Sequence, residues 1–167
     1  MSRNSTAVGV ALIIVVISTP RIGEPDRSEA RAIGTLRAIT SAEDAYRSAN
    51  GYYTTLECLV DPSCAPAPPG FQPRFLALEI GSLRERHGYR FQFYPGVTFD
   101  AERPHGTSLT AISNFAVVAV PVGNYKSSRR SFCTDATASI YFTAGASAPR
   151  VQAGRCLDTD NQLGGMR

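Results

Sequence analysis

Apolar side chains recur at intervals of three and four residues between Ser28 and about Ala49. This spacing places them along one stripe of an α-helix and leaves the other faces to charged residues. Asn50-Gly51 follows, and these residue types commonly end a helix. The pattern predicts a long amphipathic helix that buries its stripe against another layer. The stripe contains Ala32, Ile33, Leu36, Ile39, Ala42, Ala45, Tyr46 and Ala49, and the polar faces contain Arg31, Arg37, Glu43, Asp44 and Arg47.

Strand-like patterns follow in the second half of the chain. Aromatic and polar residues alternate in 88–94, which predicts a strand with one buried face. Residues 114–121 are almost continuously apolar, which favours a central strand. Residues 131–134 and 139–143 flank a polar turn and predict a hairpin. A long N-terminal helix packed on a small antiparallel sheet makes this an α+β domain.

The remaining segments carry weaker patterns. Residues 51–70 are rich in proline and are expected to form a loop. Residues 71–80 predict either a helical turn or a packed loop, and residues 95–110 are rich in turn residues. From Ala144 onward the chain is expected to form a tail that Cys156 ties to the domain.

An apolar run occupies residues 7–17 and follows Arg3. A positive residue before an apolar segment of this length is typical of a secretory signal, and the run is shorter than the roughly 20 residues that a membrane span needs. We expect residues 1–18 to be a signal peptide or a signal anchor, residues 19–27 a spacer and residues 28–167 one domain. The expected location is the periplasm, the cell surface or the extracellular space, with an inner-membrane anchor if the signal is retained.

The four cysteines are Cys58, Cys64, Cys133 and Cys156. They form no close-spaced pair of the kind that structural zinc sites use, and an even number in an exported chain indicates disulfide bonds. Four cysteines allow three pairings, and the sequence alone does not choose among them. Closure of the shorter loops favours Cys58–Cys64 and Cys133–Cys156.

Composition excludes some classes of function. The chain has 167 residues, 43% hydrophobic residues and a net charge of only +3, which suits one globular domain. The densest basic cluster consists of Lys126, Arg129 and Arg130, and no nucleic-acid-binding motif accompanies it. We therefore expect no nucleic-acid partner, no cofactor, and membrane contact only through residues 7–17 if they are retained.

Candidates for catalysis and for metal binding are few. His87 and His105 could each act as a base, but no nucleophile motif accompanies either one, so no catalytic residue is predicted. Asp158, Asp160 and Asn161 form an oxygen-rich segment that makes a weak calcium candidate, without the glycine and the terminal glutamate of an EF-hand loop. A solvated acidic tail explains the same segment more simply.

Several segments together resemble the type IV pilin and pseudopilin family. Their order and spacing carry the resemblance, which covers roughly residues 28–143. It implies a stalk helix, an αβ-loop, a sheet and a C-terminal disulfide-bounded loop. The segments are Glu29-Ala-Arg-Ala-Ile-Gly-Thr-Leu-Arg-Ala-Ile-Thr-Ser-Ala-Glu-Asp-Ala-Tyr46, Gly51-Tyr-Tyr, Gly88-Tyr-Arg-Phe, Phe115-Ala-Val-Val-Ala-Val-Pro121, Arg130-Ser-Phe-Cys-Thr-Asp135 and Ile140-Tyr-Phe.

The N-terminus departs from the family pattern. Pilins begin with glycine followed by Phe-Thr-Leu-Ile-Glu, whereas here Gly9 precedes Val-Ala-Leu-Ile-Ile. The resemblance implies a non-enzymatic subunit or accessory of a filament or a secretion pseudopilus, with protein partners or self-association. The alternative is a soluble exported binding module on a pilin head, with an exposed patch around Tyr52, Tyr53 or Tyr125. An exported enzyme is a third hypothesis, which requires His87 or His105 beside a nucleophile.

Overall fold

The computed structural model describes residues 27–64, 74–81, 84–99, 110–123, 129–159 and 161–163. The expected signal segment, residues 1–18, lies outside these ranges, as does most of the expected spacer. Within the described ranges lie three α-helices, one 3₁₀ helix (Pro62–Cys64) and eight strands. The helices are α1 (Arg27–Asn50), α2 (Leu56–Val60) and α3 (Leu78–Gly81). The strands are β1 (Glu85–Arg86), β2 (Tyr89–Pro95), β3 (Phe115–Pro121), β4 (Ser131–Asp135), β5 (Ile140–Thr143), β6 (Val151–Gln152), β7 (Arg155–Cys156) and β8 (Gln162–Leu163).

Helix α1 confirms the predicted long helix and its end point. Gly51 follows the last helical residue with φ of +87°, a conformation that glycine adopts without steric cost. Its N–H donates to the carbonyl of Arg47 at 2.7 Å, which is the bond that closes a left-handed helix cap. Most of the apolar stripe of α1 is buried as its spacing predicts, and Leu36 and Ile39 are fully inaccessible to solvent. The exceptions are Ala45 and Ala49 near the end of the helix, which are exposed.

The main sheet has the strand order β1-β2-β3-β4-β5-β8, and every neighbouring pair is antiparallel. Strand β3 pairs with β2 along its whole length, from Phe115 opposite Pro95 to Pro121 opposite Tyr89. It also pairs with β4 on its other side. This pairing on two sides confirms the predicted central position of β3. Both faces of β3 are also buried, which explains its continuous apolar sequence.

The sheet has a different cover on each face. Phe115, Val117 and Ala119 belong to the main core, which they share with the stripe of α1. The alternate residues Ala116 and Val118 belong to a second cluster on the opposite face. The disulfide-bonded cysteines Cys133 and Cys156 complete that second cluster. The helix therefore covers one face, while the β6–β7 hairpin covers part of the other.

Both disulfides have the pairing that short loop closure favours. Cys58 and Cys64 are bonded to each other, with a Cα–Cα distance of 5.1 Å. Cys133 and Cys156 form the second bond, with a Cα–Cα distance of 6.1 Å, and no cysteine is free. The second bond joins β4 to β7, so the C-terminal segment is tied to the sheet as expected. The α+β fold class is likewise confirmed.

Some short elements differ from the sequence prediction. Residues 51–70 were expected to be a loop, yet they contain α2, which buries Leu59 in the core. The segment after Ala144 was expected to be a tail, yet it contains the β6–β7 hairpin and β8. These elements have two to five residues, and long-range contacts rather than local patterns stabilise them.

Polar contacts fasten α1 to the sheet at two levels. Near the start of the helix the buried carboxylate of Glu29 accepts hydrogen bonds from the backbone N–H of Arg130 at 2.9 Å and from its guanidinium at 2.7 Å. In the middle, the hydroxyl groups of Thr40 and Thr134 lie 3.3 Å apart. These contacts set the position of α1 along the sheet. In the part of the chain that the structure describes, no helix is long and apolar enough to cross a membrane.

Candidate functional site

An open cleft of about 290 Å³ lies at the C-terminal end of α1. Four segments of the chain meet there: the last helical turn, the residues that precede β3, the β4–β5 turn and the β6–β7 hairpin. Its volume is at the lower end of the range for ligand pockets. The lining residues are Arg47, Tyr53, Ser113, Asn114, Asp135, Ala136, Thr137 and Arg155.

A backbone bridge brings the first two segments together. The N–H of Tyr53 donates to the carbonyl of Ile112 at 3.2 Å, and the N–H of Ile112 donates back to Tyr53 at 2.9 Å. Because Ser113 and Asn114 follow Ile112 directly, this pair of bonds places them beside the end of α1. The side-chain oxygen of Asn114 accepts from the N–H of Phe115 at 3.1 Å. Asn114 lines the cleft, and the nitrogen of its side-chain amide can only donate.

Arg47 is held against Tyr53. The Nη1 of Arg47 donates to the Tyr53 hydroxyl at 3.0 Å, and its guanidinium carbon lies 5.1 Å from the centre of the ring. The ring of Tyr53 is itself 3% exposed and packs edge-on against Phe115 at 5.0 Å between ring centres. A cation beside a buried aromatic ring is stabilised and restricted in position.

Asp135 is the one carboxylate of the cleft, and both of its oxygens are engaged. Oδ1 accepts from the N–H of Thr137 at 3.0 Å and from its hydroxyl at 2.7 Å. Oδ2 accepts from the N–H of Cys156 at 3.0 Å, next to the disulfide. The carboxylate therefore serves to join the β4–β5 turn to β7. It leaves little acceptor capacity facing the cleft.

Arg155 supplies the second positive charge. It is exposed on the β6–β7 hairpin, where its backbone pairs with that of Gln152. Its guanidinium group makes no hydrogen bond or ion pair with any other described residue. The Cys133–Cys156 bond fixes the hairpin, and with it Arg155, next to the β4–β5 turn. The cleft thus presents two guanidinium groups and several neutral donors, an arrangement suited to an anion.

The predicted exposed tyrosine patch does not form as expected. Tyr53 is buried, with Arg47 over its ring, although it is one of the residues that line the cleft. Tyr52 is half-buried and packs edge-on against Tyr46 at 6.0 Å between ring centres. The expectation of exposure is therefore wrong for Tyr53, because its ring fills the space between α1 and β3. Tyr125 lies outside the described residues.

In the weak calcium candidate, the carboxylate of Asp158 already forms an ion pair with Arg150. Both oxygens of Asp158 accept hydrogen bonds from Arg150, from its backbone N–H at 2.6 Å and from its guanidinium at 2.8 Å. These bonds hold the pKa of Asp158 below its usual value. Asn161 is exposed, and Asp160 lies outside the described residues. No cluster of three or more potential metal ligands occurs among the residues with described positions.

His87 lies in the turn between β1 and β2. Its Nε2 accepts a hydrogen bond from Arg86 at 3.2 Å. Partial desolvation of the imidazole lowers its pKa, and the positive charges of Arg31 and Arg86 lower it further. Within the described ranges no serine, threonine or cysteine bonds to it. His105 lies outside them. His87 does not line the cleft.

Glu43 has the most strongly shifted pKa of the described acidic residues. The sequence pattern placed it on a polar face of α1, but the connection after α1 covers it completely, and its Oε2 accepts from the N–H of Thr54 at 3.1 Å. Its Oε1 has no partner among the described residues. Burial raises its pKa from 4.5 to about 8, against the lowering effect of the Thr54 bond and with a smaller increase from Asp44.

The sequence gives little indication of the cleft. Arg47, Asn114 and Arg155 are far apart in the chain, and only the pairing of Tyr53 with Ile112 and the Cys133–Cys156 bond bring them together. The one local signal is the position of Arg155 directly before a cysteine, since a disulfide fixes the residues next to it.

Fold and site define a class: a disulfide-bonded α+β domain with an arginine-lined cleft at one end of its long helix. Comparison with family models, with curated proteins and with solved structures found no match to this chain. The resemblance to pilin-like proteins therefore stays a prediction that depends on the sequence segments given above.

Proposed function

We propose that the protein is an exported, non-enzymatic, pilin-like subunit or accessory of a type IV pilus-like filament or a secretion pseudopilus. One observation carries the proposal: the order and packing of the elements. A 24-residue helix lies on an antiparallel meander, a long connection separates the two, and a disulfide ties the C-terminal segment to the sheet. This is the arrangement that the sequence resemblance implies.

The two disulfides support the exported location in this proposal. Such bonds persist in oxidising compartments and are rare in the cytosol. The apolar run of residues 7–17 precedes α1 by only a short spacer, so a retained run would attach the domain to a membrane or to a filament core. Self-association and protein partners follow from this role, with no part for nucleic acid.

A soluble exported binding module is the second candidate, and the cleft favours it. A domain whose only task is assembly needs no cleft with two guanidinium groups. In this alternative an ordinary signal peptidase removes residues 1–18, and the domain acts as a monomer. The two proposals predict different N-termini.

Fractionation of the native host, with intact mass and N-terminal sequencing of each fraction, tests both proposals. A chain that retains residues 10–17 and sediments with membranes or fibres supports the filament role. A mature chain that begins near Thr19 and occurs as a soluble monomer contradicts that role and supports the binding module.

A further inference from the structure

The charge balance of the cleft at the end of α1 is positive. Its residues include two guanidinium groups, on Arg47 and Arg155, and one carboxylate, on Asp135. The three hydrogen bonds that Asp135 accepts stabilise its charge internally and direct its oxygens toward Thr137 and Cys156. Asp135 keeps its negative charge, so two guanidinium groups and one carboxylate leave the cleft lining with a net charge of +1.

The neutral groups of the cleft also favour a negative ligand. The Tyr53 hydroxyl already accepts from Arg47, so its own proton remains available for donation. The oxygen of Asn114 accepts from Phe115, which leaves the amide hydrogens of that side chain. Ser113 adds a hydroxyl. Donors thus outnumber acceptors, which is the condition for binding an oxyanion.

Arg155 differs from three arginines of the domain that form ion pairs. Arg90, Arg130 and Arg150 each form an ion pair with a carboxylate, at 2.8, 2.7 and 2.8 Å respectively. Arg155 forms none with any residue whose position is described, although the carboxylate of Asp135 lines the same cleft. Asp135 is committed to Thr137 and Cys156, so the planar fork of Arg155 is left for a ligand.

Both guanidinium groups are attached to rigid parts of the domain. Arg47 lies in the last turn of α1 and is fixed by the buried ring of Tyr53. Arg155 lies one residue before the cysteine that is bonded to β4. A site that is formed before binding loses less conformational entropy when the ligand arrives.

We propose that this cleft binds a small oxyanion, a compound with a carboxylate or phosphate group, between Arg155 and Arg47. Arg155 provides the bidentate contact, and Arg47, Tyr53 and Asn114 donate to the remaining oxygens. The volume of about 290 Å³ limits the ligand to a small molecule or to a single terminal group of a larger one. The inference does not depend on whether the domain belongs to a filament.

Isothermal titration of the purified full-length protein with inorganic phosphate, and separately with succinate, tests the proposal. We expect saturable binding of at least one probe in the millimolar range and weaker binding at higher sodium chloride concentration. Arg155→Gln should lower the affinity about tenfold or more, and Arg155→Lys should restore part of it. Arg47→Gln should also weaken binding.

Arg90→Gln is the matched control, because Arg90 is an exposed arginine that pairs with Glu85 away from the cleft. It should bind both probes as the unaltered protein does. Nitrogen-15 spectra of the arginine side chains provide a second readout, in which phosphate should shift the Arg155 and Arg47 signals first. If neither probe binds, or if Arg155→Gln and Arg90→Gln bind equally well, the proposal is overturned. The probe that binds more tightly distinguishes a phosphate site from a carboxylate site.

Discussion

Replacing Glu43 by glutamine should change how the stability of the domain depends on pH. In the folded protein burial raises the pKa of Glu43 to about 8, whereas in the unfolded chain it returns to about 4.5. Below pH 4.5 the carboxyl is protonated in both states, and its contribution to stability is complete. As the pH rises from 4.5 to about 8, only the unfolded state loses the proton, so this contribution is lost.

The magnitude follows from the two pKa values. Each pH unit in this interval costs about 1.4 kcal/mol of unfolding free energy, and the whole interval costs on the order of 5 kcal/mol. Glutamine cannot ionise, so the variant lacks this loss. A protonated carboxyl and an amide both place a donor at the unpartnered Oε1 position. The unfolding free energies of the variant and the unaltered protein should therefore agree within about 1 kcal/mol near pH 5.

Urea unfolding of the full-length protein, followed by circular dichroism at several pH values, measures this difference. At about pH 8 we expect the free energy of unfolding of Glu43→Gln to exceed that of the unaltered protein by several kcal/mol. Glu57→Gln is the control, because Glu57 is exposed on α2, and its profile should match that of the unaltered protein. Parallel profiles for Glu43→Gln and the unaltered protein would refute the reasoning, as would a carbon-13 titration midpoint near 4.5 for the Glu43 carboxyl.

Three further predictions concern stability and use the same unfolding assay. Replacing Cys133 and Cys156 together by alanine should cost about 3 kcal/mol, since the bond closes a loop with a sequence separation of 23; an unchanged midpoint would contradict this. Gly51→Ala should destabilise the domain by about 1 kcal/mol, because φ at this position is +87°. Gly34→Ala should stabilise it by about 0.5–1 kcal/mol, because Gly34 lies inside α1 and an added Cβ would meet open space. If both substitutions changed the unfolding free energy in the same direction, helix geometry would not control these sites. Glu29→Ala should lower the unfolding free energy by about 2 kcal/mol, because Arg130 loses its buried partner. Glu85→Ala removes one member of an exposed ion pair and should change it by less than about 1 kcal/mol. Similar decreases for the two variants would contradict the role of burial.

The long elements could be predicted because their patterns are local and periodic. The three-and-four spacing in α1, the end at Gly51 and the continuous apolar sequence of β3 each follow from one rule applied to adjacent residues. The short elements could not, because strands of two residues have no period. The β6–β7 hairpin depends on the Cys133–Cys156 bond, and α2 depends on the burial of Leu59.

The cleft and the burial of Glu43 could not be predicted from local sequence patterns, for a related reason. Glu43 looks like a surface residue on a helical wheel, but the connection after α1 returns across it and brings the N–H of Thr54 to its carboxyl. Likewise, Arg47 is an ordinary last-turn arginine until Tyr53 and Arg155 are placed beside it. A helical wheel contains no information about which later segment will cover each face.

The Glu29–Arg130 contact has a mechanical consequence. If force enters the domain at Arg27, it reaches Glu29 first, and from there it passes through Arg130 into β4. Strand β4 is hydrogen-bonded to a neighbour on each side and is covalently joined to β7. Load along α1 would therefore act on the helix and sheet in shear, in which many contacts must break together, rather than peel them apart one at a time.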